Sequence, residues 1–136
     1  MVKLGNLLDV LNSLTGRRSR HNRALRYVNE WAGTIPEFLT AYDLHGDSNF
    51  KLLLENLGKV KFDLTFIAYK GRLLIRMAND IKGQPVSPLI LEVVTSAENL
   101  RRILINPSLQ SEKLSEVILS FHQSYEKLRD TLSDMK

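Results

Sequence analysis

Residues Lys59 to Lys82 read KVKFDLTFIAYKGRLLIRMANDIK. Two runs rich in β-branched and aromatic residues flank Lys70-Gly71, and a two-residue break containing glycine is a hairpin signal. Folded at that break, Tyr69 stands opposite Arg72 and the pairs run outward. One face then carries Val60, Phe62, Leu64, Phe66 and Ala68 opposite Ile81, Asn79, Met77, Ile75 and Leu73, apolar in nine of ten positions. The other face pairs Lys61 with Asp80, Asp63 with Ala78, Thr65 with Arg76, Ile67 with Leu74 and Tyr69 with Arg72. A slip of one residue would send every side chain to the wrong face, so the agreement predicts an antiparallel hairpin over 59–82. Near its turn Ile67, Tyr69, Arg72 and Leu74 leave an apolar-basic patch that suits a partner.

Downstream, a loop holding Pro85 and Pro88 leads to Leu89-Ile90-Leu91-Glu92-Val93-Val94. This short apolar run reads as a third, well-covered strand over 89–94. Upstream, Leu4, Leu7, Leu8, Leu11 and Leu14 share one stripe of a helix over 2–15, stopped by Gly16. A second helix runs from Ser19 to Ala32 and ends at Gly33. Thr34-Ile35-Pro36-Glu37 has the form of a capping box and opens a third helix to Asp43. A turn at His45-Gly46-Asp47-Ser48 follows, then a short helix from Phe50 to Leu57 closed by Gly58. Thr95-Ser96-Ala97-Glu98 is a second capping box, opening a helix to Ile105 that Asn106-Pro107 stops.

The last segment, Ser111 to Asp134, is the longest helix. Leu114, Ile118, Phe121, Tyr125, Leu128, Leu132 and Met135 recur at alternating steps of four and three residues. A seam of that form suits a coiled-coil assembly face, and it also suits a helix lying on its own core. Helices first, then strands, then helices predict an α+β fold. The expected architecture is one domain over residues 1–136, with a three-stranded antiparallel sheet (hairpin 59–82 plus strand 89–94) and about six helices.

Composition narrows the function. Apolar residues make 43% and charged residues 25% of the 136-residue chain, both ordinary for a globular protein. The absence of cysteine excludes disulfides, thiolate chemistry and cysteine-ligated zinc, and it agrees with a reducing, cytoplasmic setting. No apolar run reaches the ~20 residues that span a bilayer, and the first residues lack a secretory pattern. The formal net charge of +4 is uneven: residues 1–26 hold six basic groups against Asp9, a net of +5. Arg17, Arg18, Arg20, Arg23 and Arg26 therefore form the expected site for an anionic partner such as nucleic acid.

Catalytic signals are missing. There is no phosphate loop, dinucleotide fingerprint, zinc-protease helix or nucleophile elbow, so no cofactor, metal or catalytic residue is expected. His21, His45 and His122 are far apart in sequence, and His122 with Glu126 reads as a surface pair on a helix. Residues 23–44 can be laid on a helix-turn-helix with its turn at Gly33. The exposed face of its second helix lacks Arg, Lys and Gln, and Glu37 and Asp43 repel phosphates. Phe62 and Phe66 belong to the inner face of the hairpin, which leaves no platform for base stacking. The leucine face of helix 2–15 resembles an interfacial helix, but its polar face carries Asn, Asp and Ser and it lacks an aromatic anchor.

The function expected from these residues is a non-enzymatic interaction, assembly or regulatory protein. It would form a homo-oligomer through Leu114, Ile118, Phe121, Tyr125, Leu128 and Leu132. Nucleic-acid binding through the arginine cluster is the first alternative, and an enzyme whose site only folding assembles is the second.

Overall fold

Residues 59–78 are helical. The structure is a computed structural model that describes the backbone of residues 4–45, 50–106 and 111–135 and the side chains of 18–45, 50–106 and 112–135. It is all-helical, with no strand among the described residues. The elements are α1 (Leu4–Ala41), α2 (Lys51–Glu55), α3 (Leu57–Ala78), α4 (Ser87–Ile105) and α5 (Ser111–Asp134).

The expected hairpin is α3 and the expected third strand lies inside α4, so the α+β class and its three-stranded sheet are corrected to a helical bundle. On α3 the buried residues are Val60, Leu64, Ile67, Ala68, Gly71 and Ala78, mostly three or four apart. Phe62, Phe66 and Leu73, assigned above to the inner face, are exposed instead. On α4 the buried residues Ile90, Val93, Val94, Ala97, Leu100 and Leu104 form one helical stripe. A six-residue apolar run cannot by itself separate a covered strand from one side of such a helix.

The three helices expected before residue 44 are one 38-residue helix. It passes through Gly16, Gly33 and Pro36, so there is no turn at Gly33 and no helix-turn-helix. Gly33 is exposed and costs only its propensity, about 1 kcal/mol relative to alanine. Pro36 removes one backbone donor, and burial of Val28, Trp31, Ile35, Phe38 and Leu39 around it outweighs that loss. Thr34 caps nothing: its hydroxyl donates back to the Trp31 carbonyl at 2.6 Å. The second expected capping box, at Thr95, likewise lies in mid-helix. Gly58 does not close the short helix either, since it lies inside α3. α1 stops where Asp43 takes a left-handed φ of 53° and the Leu44 N–H reaches the Leu39 carbonyl at 2.8 Å. The expected turn at Gly46–Ser48 and the Leu4–Leu14 side chains lie outside the described residues, as does the structure of Pro107.

Four long helices form a ring. α3 packs on α1 and α4, and α5 closes the ring against α4 and α1. Two contacts along α1 and α3, and one just beyond the end of α3, show that they run antiparallel: Tyr42 with Asp63, Trp31 with Ile67, and His21 with Lys82. α4 runs back along α3, since the Ser87 hydroxyl lies 3.0 Å from the Ile75 carbonyl and Arg72 pairs with Glu98 further along. α5 returns along α4, with Ser124 beside Ser96 and Lys127 beside Glu92. This is an up-down-up-down bundle, with short α2 set in the first connection.

Among the described glycines, Gly71 sits at the closest approach. A Cβ there would come within 2.4 Å of Val94 Cγ2 and 2.7 Å of Trp31 Cζ2. The missing side chain lets the Trp31 indole N–H reach the Ile67 carbonyl at 2.9 Å. Gly33 and Gly58 have no such neighbours. Gly71→Ala is therefore expected to lower the melting temperature in a thermal unfolding experiment. Gly33→Ala and Gly58→Ala should each add about 0.5–1 kcal/mol from helix propensity alone; equal effects at all three positions would contradict this packing.

Candidate interaction surface

The heptad seam of α5 faces its own bundle. Leu114, Ile118, Phe121, Tyr125, Leu128 and Leu132 are all buried, and Phe121 meets Phe38 edge-on with ring centroids 6.0 Å apart. These six side chains form the core beside α1 and α4, which leaves the seam no free face in this fold. The arginines behave differently. Arg18, Arg20, Arg23 and Arg26 are exposed on successive turns of α1, with Arg26 5.1 Å from the centroid of the Tyr27 ring. The Arg17 side chain lies outside the described residues. The His21 contact with Lys82 sets this arginine segment at the bundle end where α3 finishes.

Among the described residues, α3 carries four exposed large apolar side chains. Phe62 is 71% exposed, Phe66 47%, Tyr69 62% and Leu73 60%. Steps of four, three and four residues put them in one row along the outer side of the helix, about 17 Å long. The expected patch at Ile67, Tyr69, Arg72 and Leu74 is thus divided. Ile67 is buried and Leu74 half-buried, while Tyr69 and Arg72 face outward. Phe62 and Phe66 were missed as surface residues, because alternation placed them inside.

Beside the row, between α1 and α3, runs a groove of about 260 Å³ lined by Glu37, Phe38, Asp63 and Phe66 among others. At its edge the Tyr42 hydroxyl donates to Asp63 at 2.7 Å. Burial of the ring is the main cause that pushes the Tyr42 phenol up to about 12, and the Asp63 carboxylate adds to it by its hydrogen bond and its charge. Burial also raises Tyr125, against the opposing charge of Arg129. A second, open groove of about 600 Å³ lies between α4 and α5, lined by Ser96, Asn99, Ser120, Gln123 and Lys127 among others. Its Ser124 hydroxyl is satisfied by the Ser120 carbonyl at 3.0 Å.

Neither groove is lined by a histidine. The His45 and His122 rings meet edge-on 5.8 Å apart, His122 Nδ1 lies 2.5 Å from Glu126, and His45 Nε2 lies 3.0 Å from the Thr40 hydroxyl. Among the described residues no group of three or more His, Cys, Asp or Glu side chains has the placement to hold a metal ion. No described helix is long and apolar enough to cross a membrane. Compared with protein-family models, curated proteins and solved structures, the chain matches none.

The Tyr42–Asp63 contact has a pH signature. The folded phenol titrates above the unfolded value of about 10, so its contribution to stability is full below about pH 10 and is lost as the pH rises through about 12. Ultraviolet titration of the native protein should show a phenol ionising near 12, and Tyr42→Phe should remove that step.

Proposed function

We propose that this chain is a non-enzymatic interaction protein whose binding face is the outer side of α3. One observation supports this reading above the others: Phe62, Phe66, Tyr69 and Leu73 are at least 47% exposed in a single heptad-spaced row. A contiguous apolar ridge held in water costs solubility, and aromatic residues dominate the energetic centres of protein interfaces. α1 and α4 support the ridge from behind, so it is presented without refolding. The natural occupant of such a ridge is another helix, packed by interlocking side chains.

This moves the expected assembly face from α5 to α3. A titration with a designed amphipathic peptide, leucine-seamed and bordered by glutamine, tests it. In an amide NMR spectrum the shifted resonances should cluster at residues 62–73. Shifts gathered in the α4–α5 groove or on the arginine segment would reject the α3 face.

A second reading has its own observation, the run of exposed Arg18, Arg20, Arg23 and Arg26 on α1. Such a segment suits sequence-independent contact with phosphates. The native chain should then retard single-stranded or duplex nucleic acid at low salt. Replacing Arg18, Arg20 and Arg23 by Glu should abolish that shift; no retardation of either nucleic acid by the native chain would dismiss this reading.

A further inference from the structure

Resting on α3 as the binding face, we propose that Phe62, Phe66, Tyr69 and Leu73 dock an amphipathic helix of a partner protein, its apolar seam bordered by Asp and Glu.

Charge selects this occupant. α3 holds Lys59, Lys61, Lys70, Arg72 and Arg76 against Asp63 alone, a net of +4. At roughly 100° per residue, Lys59 and Lys70 fall on one border of the apolar row and Arg72 and Arg76 on the other. All four are exposed. Asp63 is engaged by Tyr42, and Arg72 by Glu98. No ion pair links Lys59, Lys70 or Arg76 to a described carboxylate. Lys70 instead stands 5.2 Å from the centroid of the Phe66 ring, which sets a cation directly against the row. An apolar seam with the same charge on both borders selects a partner helix of opposite border charge, as the flanking positions of a coiled coil do.

A second copy of this chain fits less well. The row is symmetric about its midpoint, so two copies would pair antiparallel, Phe62 against Leu73 and Phe66 against Tyr69 of the other. The same symmetry sets Lys59 of each copy against Arg76 of the other. Its one attractive pair, Asp63 with Arg72, uses groups that each copy already engages. Single-stranded nucleic acid would stack on the aromatic residues, but Leu73 offers no ring and Lys70 lies over Phe66. A flat anionic membrane would also meet Glu37 on α1 and Glu98 on α4, whereas a docked helix rests on the borders of α3 itself.

The test uses the full chain and two designed helical peptides with one leucine seam, bordered by Glu in the first and Lys in the second. By fluorescence anisotropy the Glu peptide should bind at least about tenfold tighter, with the gap narrowing as salt rises. Lys70→Glu combined with Arg76→Glu should reverse the preference. Phe62→Ser combined with Tyr69→Ser should abolish binding while the helical circular dichroism stays unchanged, because both side chains are exposed. Equal affinity for the two peptides overturns the acidic partner and leaves the α3 face standing. Binding of neither peptide overturns both. Phosphatidylserine vesicles or a single-stranded oligonucleotide bound through these residues, in place of either peptide, replaces the partner helix with that anion.

Discussion

Three helices meet where Gly71 has no side chain. Trp31 from α1 enters the space beside Gly71, donates to the Ile67 carbonyl and faces Val94 of α4. The indole brings its N–H into the interior, where an unpaired donor would cost about 1–3 kcal/mol, and the buried Ile67 carbonyl of α3 satisfies it. A Cβ at position 71 would displace both neighbours at once. Closely packed interiors transmit such a displacement rather than absorb it. The rotation of α3 about its own axis is therefore set at this contact, and with it the direction in which every other α3 side chain points.

That rotation makes the outer row a surface. With Gly71 turned against Trp31 and Val94, buried Leu64, Ile67 and Ala68 follow the inner side, and Phe62, Phe66, Tyr69 and Leu73 are left on the outer side. The α5 seam had equal claim to an external role by spacing alone. It is used up inside, because α5 closes the ring of four helices and Phe121 meets Phe38 across it. The chain thus carries two heptad rows, one folded into its core and one facing solvent. The cations on α3 add a second positive region to the arginine segment of α1. The remainder of the chain is net acidic.

The mistaken hairpin and the exposed row on α3 share one cause. A helix with a single apolar stripe shows its 3.6-residue period plainly. α3 has apolar residues on two opposite sides, at Val60, Leu64 and Ala68 within and at Phe62 and Phe66 without. Interleaved, they imitate the period of two that marks a strand. Places where a sequence breaks its local rule tend to be functional ones, and the row on α3 is the residue set that breaks it here. Gly33 and Pro36 misled for a different reason. Propensity terms of about 1–3 kcal/mol are read locally, but burial over many turns of α1 outweighs them.

By itself the sequence determined the helix over Ser111–Asp134, the end of α4 at Ile105, the cationic character of residues 17–26 and the lack of any recognisable catalytic motif. Each depends on neighbours along the chain: a long unbroken stripe, a proline at 107, a run of like charges. Only the tertiary structure decided that residues 59–78 are a helix, that the α5 seam is core and that Phe62, Phe66, Tyr69 and Leu73 face water. Those outcomes depend on which apolar face finds a partner across the bundle. The deciding contact joins Trp31, Gly71 and Val94, residues far apart in sequence, and no local period records it.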